Sequence, residues 1–306
     1  MGRNQVLVLC SIALLLLGCG DRSSSGGKAP AFDGEAAYTW LQRQCDLGPR
    51  VPNTEAHRQA QEMFRQHFDS LGFAVTMQRF DYPDPYSTDT LRLVNIVASL
   101  NPQKKSRLLF GAHWECRPRS EHDPDPARRE DFLPGANDGA SGTAVLLQVA
   151  THLHQLESDA AVDLVLFDAE DWGKSGDLNN YLIGSREFAR LATAADYQYA
   201  VVLDLVGDKN QQFPREGFSM RYEPDLVDAV WGRAADLGMG DIFTNNNAGP
   251  IHDDHLSLLA AGIPALDIID FDYAYWHTVA DTPDKCSAVS LGRVGQLVLS
   301  LIQDPI

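Results

Sequence analysis

Three acids follow one apolar run. The stretch Val162–Trp172 reads VDLVLFDAEDW, and its first half is a near-continuous series of β-branched, aliphatic and aromatic residues. Such a run describes a strand buried on both faces. Asp168, Glu170 and Asp171 crowd its end. Carboxylates gathered there repel one another and resist desolvation unless a cation sits among them. Residues of matching chemistry recur along the chain: His113 after Leu108–Ala112, Asp138 within GANDGASG, Asp204 in YAVVLDLV, and His277 after Trp276. Two histidines and several carboxylates converging on one sheet edge have the ligand chemistry of Zn²⁺. A catalytic zinc takes about three protein ligands and keeps one position open. A neighbouring carboxylate that is not a ligand can carry protons. Glu170 and Asp171 are adjacent, so one can ligate while the other faces substrate. Taken singly these residues have plainer readings: a solvated acidic loop, or for Asp138 a helix N-cap. The ordered set argues for a metal centre.

Strands alternating with helices must position this set. Gly34–Leu47 carries helical spacing in Ala37, Tyr38, Leu41 and Cys45, and Gly48-Pro49-Arg50-Val51-Pro52 breaks it. Thr54 opens a second helix that Gly72 ends. Phe73–Phe80 alternates as a half-exposed strand; Leu93–Leu100, Leu108–Ala112, Val162–Phe167, Tyr199–Val206 and Pro264–Ile269 read as further strands. Gly139–Leu156, Asn180–Ala194, Glu223–Leu237, Asp254–Ala261 and Ser287–Ile302 read as helices. The alternation predicts an α/β three-layer sandwich, a central mixed twisted sheet with helices on both faces.

The 306 residues suffice for one large domain, with ordinary shares of apolar (44%) and charged (22%) residues. A net charge of −17 argues against nucleic acid and against electrostatic docking on anionic lipid. At the N-terminus, Arg3 precedes an apolar core, Val6–Leu17, which is short for a membrane span. It ends in Leu16-Leu17-Gly18-Cys19, which resembles the lipobox of bacterial lipoproteins. The Gly/Ser-rich stretch Gly20–Pro30 reads as a flexible tether. The expected organisation is a lipoprotein signal peptide over 1–18, a tether over 19–33 and a single catalytic domain over 34–306. That chain would be exported, anchored to a bacterial membrane by lipid on Cys19, facing the periplasm or cell exterior, and monomeric. With Cys10 removed in the signal segment, a Cys45–Cys286 bridge between the terminal segments is expected, with Cys116 left as a buried thiol.

Several motifs resemble one superfamily. They are Gly48-Pro49-Arg50, Gly111-Ala112-His113, Gly135–Gly142, Leu166–Asp171, Gly184-Ser185-Arg186 and Trp276-His277-Thr278. Each is short, but the ordered set is similar to the zinc aminopeptidase and glutaminyl cyclase superfamily. In its two-metal aminopeptidases, counterparts of His113, Asp138, Asp171, Asp204 and His277 hold two zincs. In its glutaminyl cyclases, counterparts of Asp138, Asp171 and His277 hold one, and the counterpart of Asp204 joins an acid network. Ile251-His252-Asp253-Asp254-His255, Trp276 beside His277, Leu203–Gly207, and the interval from Asp171 to Gly184 resemble the cyclases.

The resemblance therefore implies a glutaminyl-peptide cyclotransferase acting on peptides or proteins with N-terminal Gln. One Zn²⁺ would sit on Asp138, Asp171 and His277. Glu170 would be the proton carrier, Asp204 and Asp253 a hydrogen-bonded acid pair, and Trp276 a pocket wall. The alternative is a two-zinc aminopeptidase, in which His113 and Asp204 hold the second metal. A non-catalytic binding module fits less well with an intact ligand set and Glu170. Three departures stand out. The animal cyclases carry Glu where this chain has Asp171. The animal cyclases' pocket tryptophan falls on Gly176, with Trp172 nearby, and Asp267 replaces their histidine.

Overall fold

The computed structural model describes residues 1–2, 29–156 and 158–306. The signal segment, Cys10, Cys19 and most of the expected tether lie outside the described residues. No helix among the described residues is long and apolar enough to cross a membrane.

Two helices, α1 (Gly34–Asp46) and α2 (Glu55–Ser70), lead into a hairpin-like pair of strands, β1 (Ala74–Pro83) and β2 (Thr90–Leu100). Next come β3 (Arg107–His113), α3 (Ala140–Ala150), β4 (Ala161–Phe167), α4 (Ile183–Leu191) and β5 (Tyr197–Asp204). The last third holds β6 (Phe213–Glu216), α5 (Gly217–Tyr222), α6 (Pro224–Asp236), β7 (Phe243–Gly249), α7 (His255–Ala260), β8 (Ala265–Ile269) and α8 (Ala288–Gln303). Side-chain caps fix several starts: Thr54 accepts from the His57 amide, and Ser287 from the Ser290 amide.

Six strands form one sheet in the order β1-β2-β4-β3-β5-β8. The pairs β1–β2 and β2–β4 are antiparallel, while β4–β3, β3–β5 and β5–β8 are parallel. The sheet is mixed, as expected. Alternation along the strands divides the core. Phe110, Leu164, Leu166, Val201, Leu203 and Ile268 face one apolar layer built from α1, α2, α3, α6 and α8. Leu109, Val165, Phe167, Ala200 and Val202 face the other, where Phe188 of α4 and Leu258 of α7 pack. A strand with helices on both faces favours apolar residues throughout, and β4 is buried throughout; its one acid, Asp163, is paired with Arg107.

The differences from expectation are local. Helix α3 stops at Ala150, because Thr151 turns its hydroxyl back onto the Gln148 carbonyl at 2.7 Å. Helix α4 starts at Ile183, after Leu182, which takes a positive φ of 56° while its amide donates to the Glu170 carbonyl at 2.7 Å. Strands β6 and β7, a separate parallel pair, and the short α5 escaped the sequence reading; NNN within β7 carries no apolar period. The Cys45–Cys286 bridge is corrected: Cys45, Cys116 and Cys286 are all free thiols. Burial pushes the Cys45 thiol up to about 11 and raises the Cys286 thiol as well, and Cys286 Sγ is packed against Gly207.

Candidate active site

The four parallel strands β4, β3, β5 and β8 deliver their carboxyl ends to one edge of the sheet, the side on which open α/β sheets bind ligands. His113 ends β3, Asp204 ends β5, and Glu170 and Asp171 follow β4. Asp138 comes from the turn before α3, and His277 from the loop between β8 and α8. Three residues at this edge sit in left-handed backbone, Ala169 (φ 51°), Leu205 (φ 51°) and His277 (φ 54°). Such conformations cost about 1–3 kcal/mol each in non-glycine residues. They persist because neighbours tie them down. Ile183 N donates to the Ala169 carbonyl at 3.1 Å, Asp204 Oδ1 accepts from Leu205 N at 2.8 Å, and the His277 carbonyl accepts from His122 N at 3.0 Å.

The GANDGASG turn is fastened from below. Asn137 N and Asp138 N donate to the two Asp281 oxygens at 2.9 and 3.2 Å, and Tyr273 OH donates to Oδ1 at 2.7 Å. Burial, then the Asp138 charge, push the Asp281 carboxyl up to about 7. Gly139 has φ 94°, and a Cβ there would lie 2.3 Å from the Glu115 carbonyl oxygen, so only glycine fits. Gly142 lets α3 rest on β5: a Cβ would meet the Leu203 carbonyl oxygen at 2.3 Å.

Asp138, Asp171 and His277 come together with one donor atom each inside a common 4.8 Å, all buried. His277 Nε2 lies 3.1 Å from Asp171 Oδ2 and 3.7 Å from Asp138 Oδ2. Asp138 Oδ2 and Asp171 Oδ2 are buried and accept no hydrogen bond. Two orphaned carboxylate oxygens facing an imidazole nitrogen fit a divalent cation, and the Asp/Asp/His donor set suits zinc. Asp138 also groups with His113 and Asp204, but there His113 Nε2 already contacts Asp138 Oδ1 at 3.2 Å and Asp204 Oδ1 at 3.1 Å.

The electrostatics separate the acids. Burial, then the charges of Asp171 and Asp253, raise Glu170 well above the usual carboxylate range. Burial would raise Asp171 too, but Arg117 and His277 outweigh it and hold Asp171 low. Burial and then the Asp204 charge push Asp253 up to about 6. Asp253, Asp267 and His255 lie together, one donor atom of each inside a common 4.8 Å, and the Asp204 charge acts on both acids. Asp204 Oδ1 itself meets His113 Nε2 at 3.1 Å and accepts from Leu205 N at 2.8 Å. Asp267 in turn lies 3.9 Å from His255 Nδ1, and His255 Nε2 lies 3.2 Å from Glu216.

The pocket above these groups has a volume of about 280 Å³. Glu170, Asp204 and Asp253 line its acidic side, and Ile251, Leu178, Phe271 and Trp276 its apolar side. Trp276 stacks on His277 at 3.8 Å between ring centres and leans on Phe271 at 4.8 Å. Trp172 does not reach the pocket; its indole Nε1 donates to Asp84 Oδ1 at 3.0 Å among Val51, Leu91 and Ile183. Gly176 borders the pocket, with Ser175 and Leu178 on either side. Asp168 is fully buried and supports the strand end, accepting from Val94 N at 2.7 Å and meeting His57 Nε2 at 3.0 Å.

Sequence reasoning missed the brace behind the metal residues. The buried Arg117 guanidinium pairs with Asp171 Oδ1 and with Glu121, donates to the Asp171 carbonyl at 3.0 Å, and reaches Tyr181 OH at 3.0 Å. Glu121 Oε2 lies 3.9 Å from His277 Nδ1, and Glu115 Oε1 accepts from Asp171 N at 3.0 Å. These residues sit in a loop between β3 and α3 with no apolar period; only the proximity of Glu115 and Arg117 to His113 hinted at them.

The fold and site define a metal-dependent exopeptidase-like enzyme, and comparison makes the class specific: the chain belongs to peptidase family M28, which it matches over residues 95–302. Its relatives include glutaminyl-peptide cyclotransferases, as the motifs led us to expect. That of Gloydius blomhoffii is 24% identical over 294 residues, covering 83% of this chain and 78% of that protein. The crystal structure of Fimbriiglobus ruber glutaminyl cyclase is 35% identical with a TM-score of 0.85, covering 90% of this chain and 97% of the other. A leucine aminopeptidase precursor from Bacteroides thetaiotaomicron is 33% identical with a TM-score of 0.88, covering 91% and 99%.

Proposed function

We propose that this chain is a zinc-dependent glutaminyl-peptide cyclotransferase that converts an N-terminal glutaminyl residue to pyroglutamyl with release of ammonia. Asp138, Asp171 and His277 would hold a single zinc, which when bound supplies a Lewis acid at the side-chain amide carbonyl. One observation carries the metal reading: Asp138 Oδ2 and Asp171 Oδ2 are orphaned beside His277. The count of one follows the resemblance to the cyclases.

Glu170 is the proton carrier. Crowded by Asp171 and Asp253, its carboxylate is a stronger base than a free one. It takes a proton from the substrate's α-amine as that nitrogen bonds to the side-chain amide carbon. It then gives the proton to the departing nitrogen, so one C–N bond forms, one breaks and ammonia leaves. Asp204 and Asp253 supply the acidic wall facing Glu170, and Trp276 and Ile251 the apolar wall that folds the side chain back on its amine.

The test is a Gln-initiated peptide incubated with purified, zinc-loaded protein. Ammonia without chain shortening is expected; a free amino acid instead would make the chain an exopeptidase. Elemental analysis should give one zinc per chain, and two tightly held metals would favour the hydrolytic alternative. We also propose export and lipid anchoring at Cys19, on the signal-like residues 1–18. Fatty-acid labelling of the expressed chain should be lost in Cys19→Ala; labelling that persists would rule this out.

A further inference from the structure

A second cleft, of about 460 Å³, opens beside the active-site pocket, and the two share Phe271 as a wall. Phe271 is 44% exposed, a large apolar ring standing between two concavities. Strand β7 forms the cleft floor through Thr244, Asn246, Asn247 and Ala248, of which Thr244, Asn246 and Ala248 alternate along the strand and share a face. Asp270 and Asp272 form the opposite wall. Asp270 is buried and accepts from Gln212 N at 3.0 Å, while Asp272 is exposed. No lysine or arginine lines the cleft. Arg215 of β6 points away, its guanidinium engaged by Asn245 Oδ1 at 3.0 Å and by Asp228.

We propose that this cleft receives the substrate residues that follow the N-terminal one, and that it favours cationic side chains there. The inference rests on the reading of the neighbouring pocket as a site for N-terminal glutaminyl peptides. A residue seated there with its amine toward Glu170 leaves the rest of its chain to exit at the mouth, and Phe271 is the part of that mouth continuous with the cleft. Asn246, with donors and an acceptor on one exposed amide, suits a passing peptide backbone. The two carboxylates, with no basic neighbour in the lining, suit lysine or arginine two or three positions downstream.

The experiment compares kcat/KM for three amidated peptides at low salt: Gln-Ala, Gln-Ala-Lys-Lys and Gln-Ala-Glu-Glu. Rim charge pairs are individually weak, so the lysine peptide should exceed the glutamate peptide by about three- to tenfold, with the gap narrowing in high salt. Asp272→Asn should shrink that ratio, and Asn246→Lys, at an exposed position, should invert it; zinc content verifies that both variants fold. Equal kcat/KM for all three peptides would overturn the cleft while leaving the cyclase reading intact. Absence of ammonia from every peptide would overturn the cyclase reading, and the cleft with it.

Discussion

Replacing Glu170 by glutamine tests the division of labour between adjacent acids. The substitution preserves shape and removes only the ionisable oxygen. Glu170 is 8% exposed and lies outside the Asp138/Asp171/His277 group, so zinc binding should survive. General acid–base assistance is worth about 10²–10⁴-fold. At about 1.4 kcal/mol per decade, that is about 3–5 kcal/mol of transition-state stabilisation. Stability should move the other way. The wild-type carboxylate is destabilised by burial and by the charges of Asp171 and Asp253, and the neutral amide escapes both. Glu170→Gln should therefore lose at least a hundredfold in kcat for ammonia release, keep its zinc, and melt no lower than the parent. Coupled ammonia assay, elemental analysis and thermal denaturation read the three quantities. A kcat within a few-fold of the parent would refute the role; loss of zinc would show Glu170 to be a ligand.

Arg117→Met should strip Asp171 of its buried counter-charge. Breaking a buried pair costs about 3–5 kcal/mol, and removing a ligand's supporting partner typically weakens metal binding about 10–100-fold. Chelator competition and unfolding of the metal-free protein measure both, and parent-like values would dismiss the brace. Gly139→Ala should destabilise the protein by at least about 1–3 kcal/mol, because it forces a side chain to φ 94° against the Glu115 carbonyl; denaturant titration decides. In zinc-free protein, burial and neighbouring acids push Asp253 up to about 6 and Asp281 up to about 7, above the value of about 4 expected unfolded. Raised acids favour the folded state below the unfolded value and lose that contribution as pH climbs through the folded one. Melting temperature of chelated protein should therefore fall between about pH 4 and 7, and a rise over that window would contradict the assignment.

The sequence was legible where chemistry and periodicity are local. The near-continuous apolar run Val162–Phe167 reads as a doubly covered strand, and its one polar residue, Asp163, is buried only because Arg107, Ser99 and Tyr197 satisfy it. The acids after it, and the order of His113, Asp138, Asp204 and His277, could be read as a metal-binding set from residue type alone, and the family followed from the motifs. Strand order and handedness of pairing were not readable, since neighbours such as β4 and β2 are set by long-range packing. The partners of the acids depended on tertiary structure for the same reason. Asp204 meets His113, Arg117 backs Asp171, and Cys45 and Cys286 remain free thiols. Residue type specifies what a side chain can bond; only the folded backbone, with Ala169, Leu205 and His277 held at positive φ, decides where each one points.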